Sequence, residues 1–195
     1  MLKLFYAPRT RASRPRWLLE ELGLPYEMER IDPRNKPANY DALHPLSHVP
    51  VIQDGDFAIF ESAAICIHLA EKAGNLVPAL GTAERAHYYQ WMFFAMTELE
   101  PQIMIISAEN HLAADKRNTE KSDHARDSFQ TACVGLTRAL GDRPYLLGDF
   151  TALDVVLGSV LLWSRLFHLL DAAPALSAYC DRLKARPAYL RTIAD

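Results

Sequence analysis

The chain has 195 residues, of which 50% are hydrophobic and 23% are charged, and its formal net charge is −3. This composition is typical of a globular protein with one large or two small domains, and it excludes wholesale disorder. The slightly acidic balance argues against general nucleic-acid binding, because that function needs a basic face that displaces counterions. We therefore expect a folded protein without a nucleic-acid partner.

The three cysteines, Cys66, Cys133 and Cys180, lie far apart and form no CxxC pair. This spacing indicates neither a zinc site nor a dithiol redox centre, so we expect no metal. Sparse, odd-numbered cysteines are typical of a reducing compartment. The apolar stretch at the start of the chain is too short for a signal peptide. The most apolar run, 155–170, is shorter than the ~20 residues that span a bilayer. We expect a soluble, cytoplasmic protein without a membrane partner.

Residues 1–76 predict short strands that alternate with helices. The hydrophobic pattern predicts strands near 2–6, 26–28, 51–52 and 57–59, helices near 15–22 and 62–73, and a loop with a short helix in 33–45. Gly23 and Gly74 end the two longer helices, and Asp54-Gly55-Asp56 is a hairpin signal. The order β-α-β-α-β-β-α predicts a small mixed sheet whose first two strands are parallel.

The strand pattern stops after Leu76, and helical periodicity follows. It predicts helices over 83–107, about 120–140, 152–170 and 174–184. We therefore expect an α/β domain over 1–76, a linker at 77–82 and an all-α domain over 83–195. Thr151 and Asp154 form a capping box at the start of the third of these helices, with Asp in place of Glu. Loss of this cap is expected to cost about 1 kcal/mol.

The junction between the first strand and the first helix is basic. No acidic residue precedes Glu20. Four arginines follow the strand: Arg9, Arg11, Arg14 and Arg16. Hydroxyl groups are contributed by Tyr6, Thr10 and Ser13. Together with the unpaired N–H groups of a helix N-terminus, these groups can hold a thiolate, a carboxylate or a phosphate. The alternative is purely structural, with Ser13 as the helix N-cap and the arginines solvated.

Two later segments also have both a functional and a structural interpretation. Pro50 begins a predicted strand, where a proline can be cis, although trans is the commoner isomer. Ser62 is a natural N-cap for the helix over 62–73, and Glu61 complements the dipole of that helix. Neither segment requires a function when it is considered alone.

In chain order, these segments resemble the glutathione transferase family, of the bacterial, soluble type, over essentially the whole chain. The residues that carry the resemblance are Leu4-Phe-Tyr-Ala-Pro8, Thr10, Ser13-Arg-Pro-Arg16, Leu19-Glu-Glu-Leu-Gly-Leu-Pro-Tyr26, His44-Pro45, His48-Val-Pro-Val-Ile52, Asp54-Gly55, Glu61-Ser62-Ala-Ala-Ile65, Thr151 to Asp154 and Arg186-Pro-Ala-Tyr189. Each segment is short, and their order and spacing together identify the family. The resemblance implies a thioredoxin-like N-terminal domain, an all-α C-terminal domain, a cis bond before Pro50 and a homodimer.

The resemblance also implies a site for glutathione, an anionic tripeptide with a thiol, two carboxylates and an amine. Glu61 and Ser62 are expected to hold its γ-glutamyl end, the backbone of Val49 to pair with its cysteinyl part, and His48 to reach its glycyl carboxylate. The full set of expected substrate-binding residues is Arg11, Ser13, His48, Val49, Pro50, Glu61 and Ser62.

The family's catalytic positions fall near the end of the first strand. Thr10 matches the catalytic serine position, two residues after a proline, and Tyr6 matches the catalytic tyrosine position. Arg11 stands where some bacterial relatives have a catalytic cysteine. The resemblance therefore implies a detoxification enzyme that activates the thiol of glutathione for attack on a small hydrophobic electrophile. Thr10 is the first candidate for the residue that activates the thiol, and Tyr6 is the second. The alternatives are a glutathione-dependent peroxide or disulfide reductase and a non-catalytic binding or scaffold protein.

Overall fold

The computed structural model describes residues 1–193, which form two compact units. The sheet unit contains Met1–Val77 and the described residues from Ala185 onward, and the helical unit contains Pro78–Lys184. Residues 194–195, which the sequence analysis assigned to the helical domain, lie outside the described residues. The predicted fold class, an α/β domain followed by an all-α domain, is confirmed.

Four strands form the sheet. They are β1 (Leu2–Tyr6), β2 (Tyr26–Arg30), β3 (Val51–Asp54) and β4 (Phe57–Phe60), in the spatial order β2-β1-β3-β4. Strand β1 is parallel to β2 and antiparallel to β3, and β3 is antiparallel to β4. The predicted parallel pair and the predicted hairpin are therefore both present.

Among the described residues of the sheet unit are three α-helices, α1 (Ser13–Leu22), α2 (Ser62–Ala73) and α8 (Pro187–Thr192), and one turn of 3-10 helix, Tyr40–Ala42. Helices α1 and α2 end as predicted at Gly23 and Gly74, whose φ angles of 63° and 61° are left-handed. Glycine adopts this conformation without a steric penalty, since it has no Cβ. The two helices pack against each other, and each has buried apolar residues, which include Leu18 in α1 and Ile65 in α2.

The residues that follow Lys184 lie in the sheet unit, although the sequence analysis assigned them to the helical domain. Their helix α8 packs on α1, where the rings of Trp17 and Tyr189 meet edge to face with centroids 4.9 Å apart. The guanidinium of Arg186 donates two hydrogen bonds to the carboxylate of Glu21, at 2.6 and 2.8 Å. Helical periodicity contains no information about such distant contacts, so the sequence pattern does not group these residues with the sheet unit.

The helical unit contains α3 (Ala83–Phe94), α4 (Glu100–Asn110), α5 (Thr119–Leu140), α6 (Ala152–Ser164) and α7 (Pro174–Lys184). A π-helical turn, Ala95–Leu99, joins α3 to α4, so the helix predicted over 83–107 extends to residue 110 with one widened turn. No helix of residues 1–193 is long and apolar enough to cross a bilayer.

The helix predicted over 152–170 is shorter in the structure. Helix α6 ends at Ser164, and one turn of 3-10 helix follows over Arg165–Phe167. His168 then adopts a left-handed φ of 59°, which breaks the helical backbone. The apolar sequence pattern continues past this point because Leu169 and Leu170 are buried in a turn and not in the helix.

The predicted capping box at the start of α6 is present and connects this helix to α7. The carboxylate of Asp154 is fully buried and accepts hydrogen bonds from Thr151 N at 2.8 Å, Thr151 Oγ1 at 3.1 Å and Leu146 N at 3.2 Å. The hydroxyl of Tyr179 in α7 donates a fourth bond to it at 2.7 Å. Burial raises the pKa of Asp154, and these hydrogen bonds oppose the rise. Asp154 therefore does more than cap one helix.

Replacement of Asp154 by alanine should lower the free energy of unfolding by about 3 kcal/mol, because it leaves several buried donors without an acceptor. Tyr179→Phe removes one of the four bonds and should cost about 1 kcal/mol. Chemical denaturation of the two variants and the wild type measures both losses. Equal losses in the two variants would contradict the assignment of Asp154 as the shared acceptor.

Candidate functional site

Most of the predicted site residues lie at one edge of the sheet. The strand register aligns Phe5 with Val51 and Val51 with Phe60, so β1 ends, β3 begins and β4 ends at this edge. Helix α1 follows β1 and α2 follows β4, so both helices also begin here. The unpaired N–H groups of helix N-termini favour anions, so the topology itself makes this edge suited to an anionic ligand.

A buried hydrogen bond joins the two helix N-termini. Nη1 of Arg14, the second residue of α1, donates to Oγ of Ser62, the first residue of α2, at 3.0 Å. Both residues are only 2% exposed. Both residues stand out in the sequence, but the contact between them is not predicted there, because solvated arginines are the simplest interpretation of the basic junction.

Glu61, and not Ser62 as predicted, occupies the N-cap position of α2. Its carbonyl accepts the first helical hydrogen bond, from Ile65 N at 2.9 Å, which places Ser62 inside the first turn. The φ of Glu61 is 70°, a conformation that costs a non-glycine residue about 1–3 kcal/mol and that is often found at functional sites. Its side chain is exposed and does not cap the helix.

Thr10 holds the loop between β1 and α1. Its Oγ1 donates to the carbonyl of Ala7 at 2.7 Å and accepts from Ala12 N at 3.3 Å. A hydroxyl has one proton, so a bond from Thr10 to a ligand requires the bond to Ala7 to be exchanged.

Two other predicted residues of this junction take backbone positions that the sequence did not indicate. The structural alternative made Ser13 the N-cap of α1, but Ala12 takes that position and Ser13 is the first helical residue, with an exposed side chain. The carbonyl of Arg11, which is half-buried, accepts from Arg14 N at 3.2 Å. Because the chain is already turning at Arg11, the helix needs no side-chain cap from Ser13.

Tyr6 is the last residue of β1 and is half-buried. Its carbonyl accepts from Ile31 N at 2.8 Å, which extends the pairing of β1 with the chain that follows β2. Its hydroxyl makes no hydrogen bond within residues 1–193. Tyr6 therefore has a hydroxyl proton that requires no exchange before it can be donated to a ligand.

The loop before β3 presents backbone groups at the same edge. The peptide bond between Val49 and Pro50 is cis, and the buried Tyr40 donates its hydroxyl to the carbonyl of His48 at 3.2 Å. Val49 is half-buried, and neither its N–H nor its C=O is hydrogen-bonded within the part of the chain that the structure describes. Backbone groups in such surroundings are nearly always paired, so Val49 offers one donor and one acceptor to a ligand. The side chain of His48 is exposed.

His44 is a buried neighbour of this loop to which the sequence analysis gave no role of its own. It is 5% exposed, and its Nδ1 accepts from Leu46 N at 3.1 Å. Its ring centroid lies 4.7 Å from that of Phe60 and 5.4 Å from that of His48. Burial lowers the pKa of His44, and its electrostatic interaction with His48 lowers it further, which favours the neutral form of the ring. The signal in the sequence is a single His-Pro pair, which does not distinguish a buried histidine from an exposed one.

No group of three or more His, Cys, Asp or Glu side chains within residues 1–193 is arranged to hold a metal ion. The donors at this edge are the helix N-termini, the hydroxyls of Tyr6, Thr10 and Ser62, the guanidinium of Arg14 and the backbone of Val49. This set can bind an extended ligand that carries carboxylates, a thiolate and a peptide backbone.

Two family descriptions match the chain. Residues 10–72 match Glutathione S-transferase, N-terminal domain, and residues 109–182 match Glutathione S-transferase, C-terminal domain. The chain belongs to the glutathione S-transferase family. The family identified from the order of short segments in the sequence is therefore confirmed.

The similarity to individual relatives covers different shares of this chain and of each relative. Glutathione S-transferase 3 of Schizosaccharomyces pombe is 39% identical over 108 residues, which span 53% of this chain and 44% of that protein. The disulfide-bond oxidoreductase YfcG of Escherichia coli is 30% identical over 210 residues, 96% of this chain and 92% of that protein. The crystal structure of a glutathione transferase family member from Pseudomonas fluorescens with two glutathione bound is 25% identical, with a TM-score of 0.88 over 98% of this chain and 91% of that one.

Proposed function

We propose that this protein binds glutathione and activates its thiol as a thiolate for attack on a small hydrophobic electrophile. The observation that carries this proposal is the buried bond between Arg14 and Ser62, which joins two helix N-termini at one edge of the sheet. Such an edge favours the carboxylates and the thiolate of glutathione. The similar Pseudomonas fluorescens protein, which was crystallised with glutathione, supports the same ligand.

In this proposal the γ-glutamyl end of glutathione lies at the start of α2. Ser62 accepts a hydrogen bond from Arg14, so its own hydroxyl proton is available to the ligand carboxylate. The exposed carboxylate of Glu61 faces the ligand amine. The unpaired backbone groups of Val49, beside Pro50, bind the cysteinyl part as an added strand would.

The other proposed contacts come from exposed or half-buried side chains around this line. His48 is exposed and reaches the glycyl carboxylate, to which it donates an N–H. Arg11 and Ser13, at the start of α1, contribute a positive charge and a hydroxyl beside the thiol. Together with Glu61, Ser62, Val49 and Pro50, these residues form the proposed substrate-binding set.

Thr10 and Tyr6 are the hydroxyls proposed to activate the thiol. Lowering the pKa of a thiol by two units from about 8.5 needs about 2.7 kcal/mol. A hydroxyl bond to an anion supplies about 1.5–3 kcal/mol and a helix N-terminus about 0.3–1. Thr10 must exchange its neutral bond to Ala7, worth about 1 kcal/mol, so its net effect is about one pKa unit. We propose Thr10 as the first candidate for this role and Tyr6 as the second, because Thr10 lies beside the first N–H groups of α1.

Thr10→Val should raise the pKa of the bound glutathione thiol by about one unit, because it removes a bond made mainly to the thiolate. The affinity for glutathione should change little, and Thr10→Ser, which keeps the hydroxyl, should keep the wild-type pKa. Thiolate absorbance of the complex, followed against pH, measures these values. A normal profile for Thr10→Val with a raised pKa for Tyr6→Phe would transfer the role to Tyr6.

Glutathione-dependent disulfide reduction is the second candidate activity, and the likeness to a disulfide-bond oxidoreductase favours it. In this chain both electrons must come from two glutathione molecules, which leave as glutathione disulfide. Burial raises the pKa of the Cys66, Cys133 and Cys180 thiols to about 12, so these thiols are not reactive nucleophiles.

Calorimetric titration with glutathione, followed by two turnover assays, separates these functions. We expect saturable binding and saturable conjugation of glutathione to a halonitroarene electrophile. Faster turnover of a small disulfide than of the electrophile would favour the reductase. Binding without either turnover would favour a binding or scaffold protein, and absence of glutathione binding would overturn the proposal.

We further propose that the protein is a homodimer. The exposed apolar side chains that support this proposal are Phe93 in α3, which is 63% exposed, and Met104 in α4, which is 49% exposed, because exposed apolar patches mark protein–protein contacts. An open groove of about 580 Å3 lies nearby in the helical unit, and its walls are formed by Phe94, Glu98, His124, Asp127, Ser128, Thr131, Ala132 and Gly135.

Light scattering of the wild type should give about twice the chain mass of 22.0 kDa. Phe93→Glu should give a monomer, because it places a charge in the proposed interface. Leu166→Glu is the matched control, since Leu166 is also exposed in the helical unit, at 74%, and lies outside the groove. A monomeric wild type would contradict this proposal.

We infer a cytoplasmic location from the cysteines. All three are buried free thiols, which agrees with a reducing compartment, and the chemistry proposed here consumes reduced glutathione.

A further inference from the structure

Arg9 is an exposed cation in the loop between β1 and α1, directly before Thr10. Its guanidinium makes no hydrogen bond or ion pair with another of residues 1–193. The Cα atoms of consecutive residues are about 3.8 Å apart, and an extended arginine side chain is longer than that distance. The guanidinium of Arg9 can therefore reach a molecule that reacts beside the hydroxyl of Thr10.

The backbone holds Arg9 in a defined position. Its φ is 59°, a left-handed conformation that is unfavourable for residues other than glycine and that clusters at active sites and ligand-binding segments. Thr10 fixes the loop on the other side, because its Oγ1 donates to the carbonyl of Ala7 at 2.7 Å and accepts from Ala12 N at 3.3 Å. The loop therefore keeps this strained arginine next to the proposed thiol site.

The acidic residues of α1 do not neutralise this loop. Residues 1–19 contain no aspartate or glutamate, and the first turn of α1 has none. Glu20 and Glu21 lie near the C-terminal end of α1 and bind arginines from the last part of the chain. The positive charge of Arg9 thus remains at the N-terminal end of the helix, where the helix dipole adds to it.

Glutathione in the proposed complex also leaves Arg9 without a partner. Ser62 and His48 bind the two carboxylates, and Glu61 faces the amine. The thiolate accepts from the hydroxyl of Thr10 and lies at the N-terminus of α1. The guanidinium of Arg9 is therefore available to the second substrate, the molecule that the thiolate attacks.

We propose that Arg9 is a specificity residue, which favours electrophiles that carry an ionised carboxylate over neutral electrophiles with the same reactive group. This inference rests on the proposed activation of the glutathione thiol beside Thr10, and it adds the chemical class of the second substrate. Because Arg9 is exposed, its attraction for the carboxylate is screened by salt and acts mainly on KM.

The test compares 4-chloro-3,5-dinitrobenzoate with its neutral amide. In both, the sulfur of glutathione forms a bond to the ring carbon that carries chlorine, chloride leaves with the bonding electron pair, and the thiol proton passes to solvent. At pH 7 and low salt, kcat/KM divided by the rate constant of the uncatalysed reaction should be about threefold higher for the benzoate than for the amide. This ratio should fall toward one in about 0.5 M NaCl.

Two variants of Arg9 and one control complete the test. Arg9→Gln should lower the ratio close to one, mainly through a higher KM for the benzoate, whereas Arg9→Lys keeps the charge and should keep the preference. Arg138→Gln is the control for the loss of one positive charge, since Arg138 is exposed in α5, which contributes no residue to the proposed site. A purely structural role of Arg9, or an effect on the pKa of the thiol, would change both reactions by the same factor.

The outcomes separate this inference from the proposed function. A wild type that conjugates glutathione to neither electrophile would overturn both. Conjugation of both with a ratio of one in the wild type, or with a preference that Arg9→Gln keeps or that Arg138→Gln also loses, would overturn only the role of Arg9. A preference for the benzoate that is lost in Arg9→Gln and kept in Arg9→Lys and Arg138→Gln would support it.

Discussion

The guanidinium of Arg14 is a buried cation, and its hydrogen bond to Ser62 joins the starts of α1 and α2 at the edge of the sheet where the ligand site is proposed. Removal of such a charge from water costs several kcal/mol unless hydrogen bonds offset the loss, and the bond from Arg14 to Ser62 is one of the contacts that offset it. This bond joins the start of α2 to the start of α1. The strand register brings the same two helix ends to one side of the sheet. The contact and the strand register therefore bring the two helix N-termini together at one edge of the sheet.

The features that could be predicted from sequence are those determined by neighbouring residues. Asp54-Gly55-Asp56 specifies the hairpin, Gly23 and Gly74 end helices, and Thr151 with Asp154 forms a capping box, all within a few residues of chain. Each depends on local backbone geometry or on a short side-chain bond, which composition and spacing express directly. The family resemblance likewise depended on short segments in a fixed order, and the strand register brings several of these segments to one edge of the sheet.

The features that could not be predicted connect residues far apart in the chain or depend on one rotamer. Arg14 and Ser62 are 48 residues apart, and Glu21 and Arg186 are 165 apart. Spacing rules do not indicate which of several basic residues is buried. The hydroxyl of Thr10 is a local case, but its direction toward Ala7 depends on the turn that the loop adopts. The N-cap of α2 is Glu61, one residue before the predicted Ser62. Glu61 adopts a left-handed φ, whereas N-cap preferences assume a residue in the β region.

Helix α1 is held at both ends by contacts within the sheet unit. Its N-terminal end is joined to α2 through Arg14, and its C-terminal end is joined to the last part of the chain through Glu21 and the bidentate guanidinium of Arg186. Trp17, between these ends, donates its indole N–H to Glu21 at 2.9 Å and packs against Tyr189. A bidentate pair with a largely buried carboxylate resists rotation of the helix more strongly than a single exposed ion pair. The orientation of the proposed thiol site thus depends on Arg186 and Tyr189, which follow the helical unit in the sequence.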